Sequence, residues 1–383
     1  GRALRSAIAI GIVLTIVVGM AEFRRAACAD KQIDRLSDAC REEVDLFNAE
    51  VTEFIDGRLG SIESPFFNDS VRKIFRHGDD LNQESLAASL VQGEQVFQTH
   101  CARCHGKEGR GDGPDAENLD MAPYDLWSGW IKWKSTRVVR KAVLEDVTAT
   151  ISRGVATVEM PAFAETLTED EIESVGRYVL WTKMRAKAIE RVAYTDDWIR
   201  ASLETDDGES EILDDLKELR ASLEEDCIDS IERELKAWLI ARERDRQLPP
   251  ESSVRTESSA ESTERGRDLF QQMGKGKCAI CHGSEGRGDG PWTRISHRRV
   301  TGELREEPGL FDDWDRPITP RNLVEDEFGG GELPVDIYRR IGGGIYGTPM
   351  PHYSLALTDA EIWDLVNYVL SLRKNRVSPA EGD

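Results

Sequence analysis

Apolar runs and long polar stretches alternate along the chain, and some of the apolar positions recur with a helical period. Residues 6–21 (SAIAIGIVLTIVVGMA) form sixteen positions without a charge. That is short for a spanning helix and slightly long for a signal-peptide core. Arg2 and Arg5 precede this run, and Arg24 and Arg25 follow it. We read 1–23 as a transmembrane anchor with its basic N-terminal flank inside and everything after it exported; a cleaved signal peptide is the alternative. Residues 24–88 are polar with short apolar patches and predict a helical stalk. Within an acidic connector at 187–248, Ile212, Leu216, Leu219, Leu223, Cys227, Ile231, Leu235 and Trp238 recur at steps of three and four, which predicts a long amphipathic helix. Its stripe must be covered by a neighbouring domain, by a hairpin with 187–203, or by another subunit. PPESSVRTESSAEST (249–263) predicts a linker.

Two stretches repeat. CARCHGKEGRGDGP (101–114) and CAICHGSEGRGDGP (278–291) share twelve of fourteen letters at an offset of 177. At an offset of 190, Gly154 matches Gly344, Met160-Pro161 matches Met350-Pro351, and Tyr178-Val179-Leu180 matches Tyr368-Val369-Leu370. The second copy thus carries 13 extra residues between Pro291 and Asp336. Upstream, Gly93 and Phe97 pair with Gly266 and Phe270, with four residues inserted in the second copy. Each copy closes with a helix announced by L-T-x-x-E: Thr168 with Glu171, and Thr358 with Glu361, have the spacing of capping boxes. One domain has been duplicated, at 89–186 and 264–376, with a short tail at 377–383.

Composition narrows the partners. The 383 residues carry a net charge of −22, so nucleic acid and anionic lipid surfaces are poor partners, and a basic protein surface fits better. One segment opposes this trend. IKWKSTRVVRK (131–141) has five basic residues and no acidic one, beside Trp127, Trp130 and Trp133 at steps of three. It reads as a helix with a solvated basic face and inward-packed tryptophans. Docking of an acidic partner and contact with a membrane interface are the functional alternatives.

Of seven cysteines, Cys101, Cys104, Cys278 and Cys281 form two CxxC pairs, each followed at once by histidine, His105 and His282. Zinc ribbons set their two pairs some 15–20 residues apart, and a redox dithiol needs no histidine at the next position. CxxCH is the attachment sequence for c-type haem, with two thiols for the vinyl groups and an imidazole for the iron. Cys227 lies on the apolar stripe and reads as a packing cysteine. Cys28 and Cys40 can pair only if the chain bends between them.

With its Gly…aromatic helix, CxxCH, Gly-rich loop ending in proline, Met-Pro loop and C-terminal helix, each copy resembles a class I c-type cytochrome domain. The resemblance implies an all-α fold: two haem domains in tandem, an N-terminal transmembrane helix and an acidic helical connector. It implies two covalently bound haem c groups, with His105 and His282 as proximal iron ligands. The carbonyls of Pro114 and Pro291 would accept the other imidazole N–H. Met160 and Met350 would be the distal ligands, chosen over Met121, Met184, His297 and His352 because both recur in the repeat. Six-coordinate iron of this kind moves electrons and performs no catalysis of its own. The expected function is a dihaem cytochrome c passing electrons from a membrane redox complex to a terminal oxidase or mobile carrier. Its expected partners are the subunits of that complex, a redox donor and acceptor, and the lipid bilayer through the anchor. The expected location is the bacterial inner membrane, single-pass, with the haem domains periplasmic. A dihaem peroxidase with one open haem is the runner-up.

Overall fold

The computed structural model describes residues 32–374 apart from 63, 66–82, 120, 122, 128–130, 138–139, 206, 242–246, 251–252, 273, 300–302 and 313–315. The anchor expected at 1–23 and Cys28 lie outside the described residues. Among the described residues no helix is long and apolar enough to cross a membrane.

Two apolar cores organise the chain. The first begins with α1 (Asp38–Leu59), started by Ser37, whose hydroxyl accepts from the Cys40 amide. A short hairpin of β1 (Gly60–Ser61) and β2 (Ser64–Pro65) follows. Next come α2 (Gln83–Val96), a π-turn at Phe97–Cys101, α3 (Ala102–His105), α4 (Leu144–Arg153) and α5 (Glu169–Glu190). The connector supplies α6 (Asp196–Leu203) and α7 (Glu209–Ala241). The second core holds α8 (Ala260–Gln271), α9 (Ala279–His282), α10 (Pro334–Gly343) and α11 (Asp359–Lys374). Between α9 and α10, β3 (Leu310–Phe311) pairs antiparallel with β4 (Pro317–Ile318).

In each copy the first and last helices cross at a glycine. A Cβ on Gly93 would lie 2.1 Å from the Ser174 carbonyl oxygen, and one on Gly266 would lie 2.1 Å from that of Asp364. Bare backbone is what lets α2 sit on α5 and α8 on α11. Phe97 then meets Tyr178 at 5.4 Å between ring centroids, and Phe270 meets Tyr368 at 5.2 Å. Both expected capping boxes form: Thr168 and Thr358 each accept from the amide of the glutamate three residues on, which accepts in return.

The stalk expected at 24–88 is in part a wall of the first domain. Cys40, Val44, Phe47, Val51, Ile55 and Leu59 of α1 are buried on α7 and α5, each large side chain contributing about 1.5–3 kcal/mol. Arg185 of α5 clamps Asp56 through two hydrogen bonds, and the Trp181 indole donates to the Leu59 carbonyl. The periodic stripe of α7 is therefore covered from within the chain, with Ile212, Leu216, Cys227, Ile231, Leu235 and Trp238 buried.

Among its described residues the basic segment is a strap without helix, and Lys134 and Lys141 face inward. Lys141 reaches Glu234 of α7 at 2.7 Å, and Glu234 is fully buried. Trp133 crosses to the second domain, where a Cβ on Gly329 or Gly330 would fall 2.8 Å from its ring. Thr136 bridges Gln247, the Leu248 amide donates to the Ser135 carbonyl, and Arg339 of α10 donates to the Leu248 carbonyl. Leu248 itself is buried in the second core. The strap thus docks an acidic helix and a neighbouring domain of its own chain. The linker is held too: Trp363 donates to Ser253, and Asn367 donates to the carbonyls of Thr256 and Glu257.

Candidate functional site

Each CxxCH motif occupies one helical turn, α3 or α9, ended by a glycine at φ +78°. A Cβ at Gly106 or Gly283 would collide with the carboxylate of Asp112 or Asp289, at 1.9 and 2.0 Å. These carboxylates lie against the glycine that ends each turn. The loop is then wound back by matched bonds: Gly111 N to His105 O and Gly288 N to His282 O, both 2.8 Å. Gly113 and Gly290 donate in the same way to Cys104 and Cys281. The copies differ in how they enter the motif. The first passes from α2 through the π-turn, whereas the four inserted residues of the second leave its helix at Gln272 and turn at Lys277, φ 55°.

The histidines are held differently from expectation. His105 Nδ1 lies 3.1 Å from the Tyr124 carbonyl, and His282 Nδ1 lies 3.0 Å from that of Arg321. The carbonyls of Pro114 and Pro291 are therefore not the acceptors, because the chain continues past them before it turns back under the ring. A carbonyl only accepts, so Nδ1 carries the proton and Nε2 keeps its lone pair. Burial lowers both imidazole pKa values, against a smaller opposing effect of the carbonyls. Neutral rings with Nε2 as the basic nitrogen suit an iron ligand.

Sequence reasoning missed Tyr124 and Arg321, although a signal was present. Pro123-Tyr124-Asp125-Leu126 matches Pro320-Arg321-Asn322-Leu323 at an offset of 197. The Leu126 amide donates to the Gly109 carbonyl and the Leu323 amide to that of Gly286, each at 2.7 Å. With this pair in place, the net difference of 13 becomes two changes. The second copy has twenty added residues before Pro320, and the first copy has seven added residues after Leu126. The twenty carry the β3–β4 hairpin, and the seven fall in the strap.

The Met-Pro loops close alike. The Val155 amide donates to the Met160 carbonyl at 2.9 Å, and that of Ile345 to Met350 at 3.2 Å. Gly154 and Gly344 precede them at φ +68° and +69°, where a Cβ would strike the loop backbone within 3.0 Å. Phe163 N to Ile151 O and Tyr353 N to Ile341 O pin the far ends. Met160 and Met350 are both half-buried. Met160, Phe163, Cys101 and Tyr124 pack on the same core. In the second copy, Tyr353 of the loop faces the CxxCH cysteines. Burial, followed by those two thiols, raises its phenol pKa. Burial also pushes the Cys101 and Cys278 thiols up to about 12.

Three other side chains of ligand type are placed elsewhere. Met184 is buried within α5, His100 meets Phe163 edge-on at 6.3 Å, and His297 Nε2 lies 2.8 Å from the Trp292 carbonyl. Among the described residues no cluster of three or more His, Cys, Asp or Glu forms a further metal site.

Paired thiols on one turn with a neutral imidazole beside them are the attachment set of a c-type cytochrome, present twice. Residues 88–179 match the family described as cytochrome c oxidase, cbb3-type, subunit III, and residues 263–373 match the family described as cytochrome c. The chain belongs to the c-type cytochromes, with two cytochrome c domains in tandem and covalent attachment for two haems c. No curated protein matches it. Among solved structures it is similar to a chain of the Kuenenia stuttgartiensis reducing HAO-like protein complex Kustc0457/Kustc0458. The two are 26% identical with a TM-score of 0.48, over 73% of this chain and 95% of that chain.

Proposed function

We propose that this chain is an electron-transfer cytochrome with two six-coordinate His/Met haems, passing electrons between a membrane redox complex and a downstream acceptor, either a terminal oxidase or a mobile carrier. The observation that supports it is the sameness of the two pockets: both copies hold a neutral histidine by a backbone carbonyl and close a Met-Pro loop with the same bonds. Bound haem supplies one-electron chemistry, and a thioether ligand raises its potential relative to a second histidine. His105 and His282 would offer Nε2 to the iron, and Met160 and Met350 would supply its thioether ligands. The anchor read at 1–23 would place the protein at the bacterial inner membrane with both domains on the periplasmic side. The charge of −22 suits a basic redox partner.

The test is to replace Met160 and Met350 by alanine, one at a time, in the holoprotein. Each change should alter the visible spectrum and lower the midpoint potential of one haem and leave the other unmoved. If neither variant changes a haem, the ligand assignment is wrong. Peroxide turnover by the unmodified protein, with a five-coordinate ferrous component, would favour the dihaem peroxidase instead.

A further inference from the structure

Four lysines, Lys134, Lys141, Lys183 and Lys187, converge with Trp238 on one cavity of about 20 Å³ in the first domain, room for a single water. Their partners differ. Lys141 is paired with Glu234 at 2.7 Å and Lys187 with Glu190 at 2.5 Å. Lys183 donates to the main-chain carbonyl of Leu126 at 2.9 Å, and Lys134 donates to those of Arg137 and Arg140. Leu126 lies two residues beyond Tyr124, whose carbonyl holds His105. Lys183 Nζ is also 5.7 Å from the centre of the Tyr124 ring. The Lys183 side chain therefore lies against the segment whose carbonyl holds His105.

The second copy provides a contrast. The position matching Lys183 is Arg373, whose guanidinium donates to the Asp326 carbonyl at 2.5 Å and to Glu332 at 2.9 Å. Its contact falls five residues beyond Arg321, whose carbonyl holds His282, and arginine keeps its charge at every accessible pH.

We propose that the first domain couples electron uptake to proton uptake at this lysine cluster, with Lys183 as the principal acceptor, and that the second domain does not. As the domain gains one electron from its redox donor, ferric iron becoming ferrous, the Lys183 amine takes one proton from water and becomes ammonium. The loss of one positive charge at the iron is offset by the gain of one at Nζ. Burial lowers the pKa of Lys183 to about 7, assisted by Lys187 and Lys141 and opposed by Asp125 and Glu190. Burial likewise brings Lys134 to about 7, opposed by Asp146 of α4 and assisted by Lys141. Glu234 of α7 and Arg191 complete the charged surroundings through Lys141. Reduction raises the lysine pKa. Below both values the lysine is charged in either state, and above both it is neutral in either state. Between them the potential falls as pH rises.

The test is a redox titration of the holoprotein from pH 5.5 to 9, with the haems resolved by the Met160 and Met350 variants. The first haem should lose potential with rising pH around neutrality, by up to about 59 mV for each tenfold drop in proton concentration at one proton per electron. The second haem should have a shallower slope. Haem carboxylates titrate in both domains, so the lysine share is what Lys183→Met removes. Lys183→Arg should flatten the slope as well and hold the potential at its low-pH value. A first haem with no steeper slope than the second, or a slope unchanged in both Lys183 variants, overturns the proposal. An unaltered haem spectrum in those variants separates this outcome from failure of the ligand assignment.

Discussion

Glu234 ties three elements that are far apart in sequence, and its removal should be among the costliest single changes in the first domain. Its carboxylate is fully buried and accepts from Lys141 of the strap at 2.7 Å and from Arg191 at the end of α5. Burial raises the carboxyl pKa, but Lys141 and Arg191 together outweigh it, so the group titrates below the ordinary carboxylate range. Glu234→Leu deprives Lys141, whose side chain is only 14% exposed, of this counter-charge. Breaking a buried pair in this way costs about 3–5 kcal/mol. Arg191 is 38% exposed and recovers most of its loss in water, so it adds little. The double variant Glu234→Leu, Lys141→Met removes both buried charges and should return to within about 1–2 kcal/mol of the parent. The assay is urea unfolding of the holoprotein followed by far-ultraviolet circular dichroism. A single variant that loses less than about 0.5 kcal/mol, or a double variant no better than the single, would refute the reasoning. Because the folded carboxyl pKa is depressed, its stabilisation is complete above the unfolded value and is lost as pH falls through the folded one.

Gly93→Ala and Gly266→Ala should each cost about 1–3 kcal/mol, since a Cβ would lie 2.1 Å from a facing carbonyl oxygen. Gly57→Ala, with nothing within 4 Å, should stabilise α1 by about 0.5–1 kcal/mol, and all three are measured by denaturant midpoint. Thr168→Ala removes the cap of α5 and should cost about 1 kcal/mol, with a matching loss at Thr358 in α11. Trp133→Ala opens the contact with Gly329 and Gly330 and should split thermal unfolding of the two domains into separate calorimetric transitions, whereas a single sharp transition would show that the Leu248 contacts suffice.

The features legible in the sequence depend on short spacing. One helical turn fixes CxxCH, three residues fix each capping box, and steps of three and four mark the buried stripe of α7. What the sequence hid depends on partners far along the chain. The carbonyls beneath the histidines belong to Tyr124 and Arg321 because twenty residues gained and seven lost conceal the Pro-x-x-Leu match inside a net count of 13. The strap looked solvated because its counter-charge, Glu234, lies 93 residues away. The polar character of 24–88 likewise concealed α1, whose buried face meets a helix that begins at Glu209.

That last pairing also sets an order of events in the making of the protein. The first haem-attachment sequence leaves the ribosome more than a hundred residues before α7, so Cys101 and Cys104 are presented on a chain whose α1 still lacks its main cover. Pairing elements so far apart carries a large loop-closure entropy and comes late. The second domain, whose helices lie close together in sequence, closes over a shorter span. The first domain can therefore finish folding only once α7 has emerged, and truncation before Glu209 leaves the apolar stripe of α1 without its main cover.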